Sequence, residues 1–233
     1  MKRSQWWKFL SGFSLLIVLI LLGIKLNPKS VPRNNTAPIV QNRITPAEQV
    51  YKIPVSGGNQ PKVRSESALG ATDLEQLYQQ SYRAFHSKKY SEAIKLADQL
   101  IKEDKGFYKA YNIKGIALCF SHNFSEGMTN IDQALTLKPD FGYARFNKAL
   151  AYELYRNFDS ALVWYDKALE VENYVWSYYG KASIYGRRGD VQNTVKYLKI
   201  AISMWDGIRA LAREESDFDP VRNTPEFKEL VGK

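Results

Sequence analysis

Few side chains in this 233-residue sequence are of the types that carry out catalysis or bind metals, and they are scattered. The two histidines, His86 and His122, fall in predicted turns between helices, with no cysteine or carboxylate cluster beside them. A metal site needs several ligands that converge on one point, and a histidine acts as an acid or base only with arranged partners. We therefore expect both histidines to be surface turn residues, and we predict no metal and no cofactor.

The single cysteine, Cys119, excludes an intrachain disulfide and stands between Leu118 and Phe120. A lone cysteine on an apolar helix is more often a small buried residue than a nucleophile. The sequence therefore predicts a buried, structural Cys119.

Other patterns that could do chemistry lack the context they need. The glycine-containing stretch 186–190 has no strand before it, which a phosphate-binding loop requires. Two acid pairs, Glu103 with Asp104 and Glu214 with Glu215, stand at predicted helix ends, where we expect solvated faces. The sequence predicts a protein that is not an enzyme.

From about residue 74 the chain is organised as a repeat. Aromatic residues at Tyr90, Phe124 and Phe158 are spaced by 34 residues, and small residues precede each of them by nine. Those small residues are Ser81, Gly115 and Ala149, and a fourth copy at a period of 33 has Ala182, Val191 and Ala201 in matching places. Fixed periods of this size are typical of solenoids, so each copy predicts a helix A, a short turn and a helix B.

The second and third copies carry the residues most frequent in one known family. They are Tyr111, Gly115, Phe124, Ala134 and Pro139 in the second copy, and Ala149, Tyr152, Phe158, Ala161, Tyr165 and Ala168 in the third. The chain thus resembles tetratricopeptide repeat (TPR) proteins, and in particular bacterial membrane-anchored ones. The resemblance implies an all-α fold, a right-handed superhelix of about four helical hairpins over residues 74–208. The hairpins would span about 74–107, 108–141, 142–174 and 175–207, with C-terminal capping helices over 209–233.

The first 73 residues have a different composition. A short basic tail, 1–8, with Trp6 and Trp7, precedes an apolar stretch, 9–26, whose length suits a transmembrane helix. A cleaved signal peptide is the alternative, but no small-x-small cleavage site follows, which favours an uncleaved signal anchor. Residues 27–73 are rich in proline and predict a flexible linker. We expect a single-pass membrane protein with the repeats outside the cytoplasm.

The basic charge of the chain lies mainly in this N-terminal part. The formal net charge is +9, yet residues 1–73 hold 10 basic against 3 acidic side chains, and residues 74–233 hold 23 against 21. A nucleic-acid-binding domain normally shows a clustered basic patch on its folded part. We therefore predict no nucleic-acid partner.

The predicted function is that of a membrane-tethered protein–protein interaction adaptor, because helix A residues line the concave groove of such solenoids. The candidate groove residues are Tyr78, Tyr82, Phe85, Lys109, Asn112, Ile116, Cys119, Tyr143, Phe146, Asn147, Leu150, Trp176, Tyr179 and Ser183. We expect this aromatic surface to bind a peptide segment of a partner, with Asn112 and Asn147 holding its backbone. About half of these residues are expected in the core instead.

Two further interpretations bear on the partner. Some TPR proteins grip a carboxylate tail with several basic side chains, but here only Lys109 is basic where such a clamp is expected, so we set that function aside. The alternative function is a self-associating structural component of an envelope assembly, in which repeats stack on repeats of another copy.

Overall fold

We describe the protein from a computed structural model, which describes residues 70–232. The predicted basic tail, transmembrane helix and nearly all of the predicted linker lie outside the described residues. Among residues 70–232, no helix is both long and apolar enough to cross a membrane.

The described part of the chain is entirely helical, as predicted for the fold class. It has ten α-helices, a 3₁₀ turn and no strand between residues 70 and 232. The helices are α1 Ala71–His86, α2 Tyr90–Glu103, α3 Tyr108–Phe120, α4 Phe124–Leu137, α5 Gly142–Leu154, α6 Phe158–Leu169, α7 Val175–Arg187, α8 Val191–Met204, α9 Ile208–Glu214 and α10 Pro225–Val231, with the 3₁₀ turn at Ser216–Phe218. Helices α1 to α8 pair as four hairpins, and each A helix (α1, α3, α5, α7) also contacts the A helix of the next copy.

The start of the first helix differs from the prediction. The repeat was predicted to begin at about residue 74, but α1 begins at Ala71. Asp73 lies inside the first turn, where its Oδ2 accepts a hydrogen bond of 3.3 Å from the backbone N–H of Gly70. A carboxylate in the first turn favours the helix because it faces the unpaired N–H groups there.

The turn inside each hairpin uses one left-handed residue at the same place. Lys88, His122 and Arg156 have φ of 60°, 67° and 62°, and Gly189 of the fourth copy has φ 72°. Only glycine adopts this conformation without a steric penalty. The turn geometry is therefore kept in all four copies, although only one copy has the residue that suits it best.

Small residues let the two helices of a hairpin approach closely, as predicted. A Cβ added at Gly115 of α3 would lie 2.6 Å from the carbonyl oxygen of Gly127, and one added at Gly127 would lie 2.4 Å from Sγ of Cys119. In the first hairpin, the Ser81 hydroxyl at the place of Gly115 donates 2.8 Å to the carbonyl of Ala93. Cys119 is fully buried in this contact, which confirms its predicted structural place.

Neighbouring copies are joined by a lysine–aspartate pair that repeats with the period. Lysines on the A helices pair with aspartates on the B helices of the preceding copy. The pairs are Lys114 with Asp98, Lys148 with Asp132 and Lys181 with Asp166. Lys148 and Lys181 also lie over the rings of Trp164 and Tyr197, with Nζ at 4.1 and 4.2 Å from the ring centroids. These pairs favour one placement of each hairpin on the one before it.

The last hairpin is covered by the C-terminal helices. Helix α10 packs on α8 and α9, and the 3₁₀ turn packs on α7. Thr224 caps α10 through its Oγ1, which accepts from Phe227 N at 3.4 Å, with Pro225 at the first helical position. Phe218 and Phe227 are buried, with ring centroids 5.5 Å apart. Glu215, predicted on a solvated face, is instead buried, because the 3₁₀ turn folds back beside it.

Candidate protein-binding surface on the A helices

All of the predicted groove residues lie on the four A helices, which contact one another in order along the chain. We call the side of these helices that carries them the A-helix surface. Most of its members are buried in the described structure: Tyr78, Tyr82, Phe85, Asn112, Ile116, Cys119, Asn147, Leu150, Tyr179 and Ser183. The half-buried members are Lys109, Tyr143, Phe146 and Trp176. The surface is thus largely filled by its own side chains, and only four members reach solvent.

Aromatic rings close the A-helix surface across the second copy. Tyr82 of the first copy reaches Tyr143 of the third, with ring centroids 6.5 Å apart. Tyr143 stacks on Phe146 at 6.2 Å, and Phe146 meets Tyr174 edge-on at 5.0 Å. Burial raises the pKa of Tyr143 to about 12 and that of Tyr82 further, so both phenols are neutral at physiological pH. This ring cluster is an uncharged, mostly apolar bridge over the second copy.

The two asparagines that we expected to hold a peptide backbone hold each other. Nδ2 of Asn147 donates to Oδ1 of Asn112 at 3.1 Å, and both side chains are buried. Nδ2 of Asn112 is buried as well and has no hydrogen-bond partner in the described part of the chain. In this conformation neither amide faces solvent.

The accessible residues share one position in the repeat. Glu75, Lys109, Tyr143 and Trp176 follow one another at spacings of 34, 34 and 33 along α1, α3, α5 and α7, and each is half-buried. We call these four residues the outer column. Nζ of Lys109 lies 2.9 Å from Oε2 of Glu75 and 5.3 Å from the ring centroid of Tyr78. Trp176 meets Trp205 edge-on at 5.9 Å. The outer column therefore has a charged pair at one end and aromatic rings at the other.

The sequence pointed to three members of the outer column and missed Glu75. The signal was present, since the repeat period places Glu75 at the position of Lys109. The same period also relates the members of the repeating lysine–aspartate pairs.

The two histidines occupy different environments, so the prediction for one of them is wrong. His122 lies exposed in its turn. His86 is the last residue of α1, with its ring 4.0 Å from that of Tyr82, and burial lowers its pKa to about 4. The ring packs there because its helical position faces the aromatic cluster. No group of three or more metal-ligating side chains occurs among residues 70–232.

A buried polar cluster at the third and fourth copies escaped the sequence analysis. Glu153 on α5 is 1% exposed and accepts from Tyr165 Oη at 2.6 Å. Its other oxygen lies 3.1 Å from Ser183 Oγ and 3.7 Å from Arg187 Nη2 on α7. Arg187 also binds Asp217 of the 3₁₀ turn. Burial raises the pKa of Glu153 to about 7, an effect that Arg187 and Tyr165 oppose.

Comparisons with known proteins give one relative in sequence and likenesses to solved structures. No family model matches the chain. The Protein STIP1 homolog of Dictyostelium discoideum is 35% identical over 94 residues, which are 40% of this chain and only 16% of that protein. A solved structure of Naa15/Naa10 bound to HypK-THB has a chain that matches with a TM-score of 0.52 at 18% identity, over 68% of this chain and 24% of that one. A structure of MamA, the RS-1 ArsTM double mutant, matches at a TM-score of 0.49 and 16% identity, over 70% of this chain and 96% of that one.

The described part of the chain is a tetratricopeptide repeat solenoid, and the predicted family is confirmed. The period, the four hairpins and the likeness to repeat proteins of the same kind all agree on this point. A bacterial origin is not shown by these likenesses, and the chain spans only a small part of the length of the first two proteins it matches.

Proposed function

We propose that the protein is an adaptor that binds a segment of a partner protein on its A-helix surface. The observation that carries this proposal is the outer column, in which Tyr143 and Trp176 stay half-buried while most other members of the surface are covered. Large aromatic side chains with one face open are frequent binding hot spots, because they offer much apolar area and have few rotatable bonds.

The chemistry of the outer column indicates what kind of segment fits. Tyr143, Phe146 and Trp176 would take apolar or aromatic side chains of the partner. Lys109 is already paired with Glu75, so a single anionic group on the partner would compete with that carboxylate rather than meet a free cation. An apolar segment is therefore favoured over an acidic tail.

A solenoid of this kind suits a binding role rather than a catalytic one. The solved structure with the higher TM-score is itself a complex of proteins, Naa15/Naa10 bound to HypK-THB. That complex is formed by other proteins, so it does not identify a partner of this chain. Within residues 70–232, the Glu153 cluster is buried, and the lysine–aspartate pairs join neighbouring repeats.

We further propose that residues 9–26 anchor the protein in a membrane as a single-pass helix and that residues 27–73 act as a tether. The uncharged apolar run supports the anchor, and the proline content supports an extended linker. An extended chain of that length reaches on the order of 100 Å or more from the bilayer. The repeats would then search for a partner outside the cytoplasm.

Self-association is the alternative function. Its simplest form, end-to-end stacking at the last hairpin, would require displacement of α10 and the 3₁₀ turn, which bury Phe218 and Phe227 against α7 and α8. Binding of a different protein is for that reason the function we favour.

A photo-crosslinking experiment in membranes of the native cell tests the proposal. A photoreactive residue replaces Tyr143 or Trp176 on the outer column, and Val163, which is 53% exposed on helix B of the third copy, is the control position. The proposal expects one partner protein crosslinked from both outer-column positions and not from position 163. Crosslinks to a second copy of the chain would support self-association, and equal products from all three positions would reject the outer column as a binding surface.

A further inference from the structure

The chain's own C-terminal turn occupies the A-helix surface of the fourth copy. Asp217 of the 3₁₀ turn contacts Ser183 and Arg187 on α7. Phe218, the next residue, lies against Tyr179, with ring centroids 5.7 Å apart. A Cβ added at Gly186 would lie 2.7 Å from the Phe218 ring, so the turn sits directly on the helix. Tyr179 and Ser183 are members of the A-helix surface, so this turn covers its C-terminal end.

The hydrogen bonds at Ser183 require an additional proton. Its Oγ lies 3.1 Å from Oε1 of Glu153 and also within hydrogen-bond distance of Oδ2 of Asp217. A serine hydroxyl has one proton to donate and otherwise only accepts. If both carboxyl groups were ionised, Ser183 could satisfy one of them and would turn a lone pair toward the other. Both contacts are hydrogen bonds only if one of the two carboxyl groups carries a proton.

The surroundings decide which carboxyl group carries it. Asp217 is bound at two points by Arg187, with 2.7 Å from Nε to Oδ1 and 2.7 Å from Nη2 to Oδ2. The contact through Nη2 is a hydrogen bond, and a guanidinium this close favours the ionised carboxylate. Glu153 is more deeply buried and is 3.7 Å from the nearest nitrogen of Arg187. The proton therefore belongs on Oε1 of Glu153, which donates to Ser183, while Oε2 accepts from Tyr165.

The other charged and titratable groups around the cluster do not change this assignment. They are Tyr165 on α6, Tyr179 and Arg187 on α7, and Glu215, Asp217 and Arg222 in the C-terminal segment. Burial and the nearby Asp217 raise the pKa of Glu215. A glutamate is either neutral or negative, so Glu215 supplies no positive charge that would favour ionised Glu153. Arg222 is engaged with Asp219 and with the carbonyl of Glu215. Burial raises the pKa of Glu153 to about 7, in agreement with the proton count at Ser183.

We propose that the C-terminal segment is a proton-dependent latch, closed over the A-helix surface of the fourth copy when Glu153 is protonated and loosened when Glu153 is ionised. Ionised Glu153 would face Asp217 across Ser183, and the two carboxylates would share the guanidinium of Arg187. Opening of the segment lets Glu153 reach water, where its pKa falls toward that of an ordinary glutamate. Opening is therefore coupled to release of one proton.

The sign and the pH window follow from this coupling. The closed state binds the proton more tightly than the open state, so opening becomes easier as pH rises. The opening equilibrium should rise by up to about tenfold per pH unit between about pH 5 and pH 7, and level off above about pH 7. The latch concerns how the segment docks, and it stands or falls separately from the binding role proposed above.

Hydrogen exchange of the full chain, held in mild detergent, tests the latch. The backbone N–H groups of Phe218 and Val221, which donate to Glu215 and Phe218 within the segment, report its opening. Their protection, corrected for the intrinsic pH dependence of exchange, should fall at least about tenfold from pH 5.5 to pH 7.5. The amide of Gly127 in α4 serves as the internal reference and should not change. Three proteins are compared: the wild type, Glu153→Gln, and Glu214→Gln, which changes an exposed carboxylate next to Glu215.

Glu153→Gln should keep the segment protected at both pH values, because the amide NH₂ donates to Ser183 as the protonated acid does. Glu214→Gln should behave like wild type. No pH dependence in the wild type, or the same dependence in Glu153→Gln, would overturn the proposal. A ¹³C titration of the Glu153 carboxyl group in the wild type gives a separate test: a midpoint near 7 is expected, and one below about 5 overturns the latch even if a variant fails to fold.

Discussion

Lys114 on α3 forms a salt bridge with Asp98 on α2, with 2.8 Å between Nζ and Oδ1, and the two following copies repeat this pair at the same positions. The lysine side chain is 18% exposed and the aspartate 52%. A pair of this kind gains little free energy but favours one placement of each hairpin on the previous one. The fourth copy has Lys199 at the aspartate position, so the series of pairs ends where the C-terminal helices begin.

A double-mutant cycle on Lys114→Met and Asp98→Asn measures this pair. We expect a coupling free energy of about 0.2–1 kcal/mol that shrinks as salt is added, because the aspartate is half exposed. Chemical denaturation of the four proteins at low and high salt gives the value. A coupling unaffected by salt would contradict the account of the pair as a screened surface interaction.

Gly127→Ala should destabilise the second hairpin. The new methyl group would lie 2.4 Å from Sγ of Cys119, which forces α3 and α4 apart. A cost of about 1–3 kcal/mol is expected for overpacking at such a contact. Ser125→Ala, an exposed site on the same helix, is the control and should change the free energy of unfolding by less than about 0.5 kcal/mol. Equal stability of the two variants would mean that the helices do not approach as described.

His122→Gly should stabilise the protein. His122 lies exposed in a hairpin turn with φ 67°, a conformation that costs a residue with a Cβ on the order of 1 kcal/mol and costs glycine nothing. Greater freedom of glycine in the unfolded chain offsets part of the gain, so a net increase of about 0.5 kcal/mol is expected. The reverse change, Gly189→Ala, at φ 72° in the fourth copy, should lower the melting temperature. A destabilised His122→Gly would show that the histidine side chain has a contact of its own.

Two buried titrating groups should give opposite pH dependences of stability. The pKa of Glu153 is raised to about 7. Its contribution to the free energy of unfolding is therefore fully present below its ordinary pKa and is lost as pH rises to about 7. The pKa of His86 is lowered to about 4. Its contribution to the free energy of unfolding is therefore fully present above its ordinary pKa of about 6.5 and is lost as pH falls toward 4. Between about pH 5 and pH 6.5 the two effects oppose each other in the wild type.

Single variants separate these two effects. His86→Phe, which matches Phe120 at the same place in the second copy, should leave a protein that becomes more stable from pH 7 to pH 5. Glu153→Gln should leave one that becomes less stable from pH 6.5 to pH 5. Urea denaturation at several pH values measures both slopes, each at most about 1.4 kcal/mol per pH unit. Slopes of the same sign in the two variants would contradict the pKa shift of the group whose predicted sign is not seen.

Periodicity in the sequence predicted the elements that depend on local pattern. The hairpins and the close contact at Gly115 follow from spacing and from small residues that allow close packing. The lysine–aspartate pairs were equally periodic, at 98, 132 and 166 and at 114, 148 and 181, and were predictable in principle.

Burial of polar side chains could not be predicted in the same way. Glu153 and Glu215 are enclosed only because the 3₁₀ turn, more than 60 residues after Glu153, folds back onto α7. Asn112 and Asn147 are buried and hydrogen-bond to each other between the A helices of neighbouring copies, a contact between residues 35 positions apart. These contacts join residues of different copies or of the C-terminal segment. The residue pattern within a single copy therefore does not predict them.

The measurement that tests the central claim most directly is the affinity of the crosslinked partner's segment for the full chain and for its variants. The doubly substituted Tyr143→Ala, Trp176→Ala chain should bind at least about tenfold more weakly, because hot-spot aromatics contribute about 1.4 kcal/mol or more. Val163→Ala on helix B should bind as wild type does, and circular dichroism melting confirms that all three chains are folded. An unchanged affinity in the folded double variant would contradict the outer column as the binding surface.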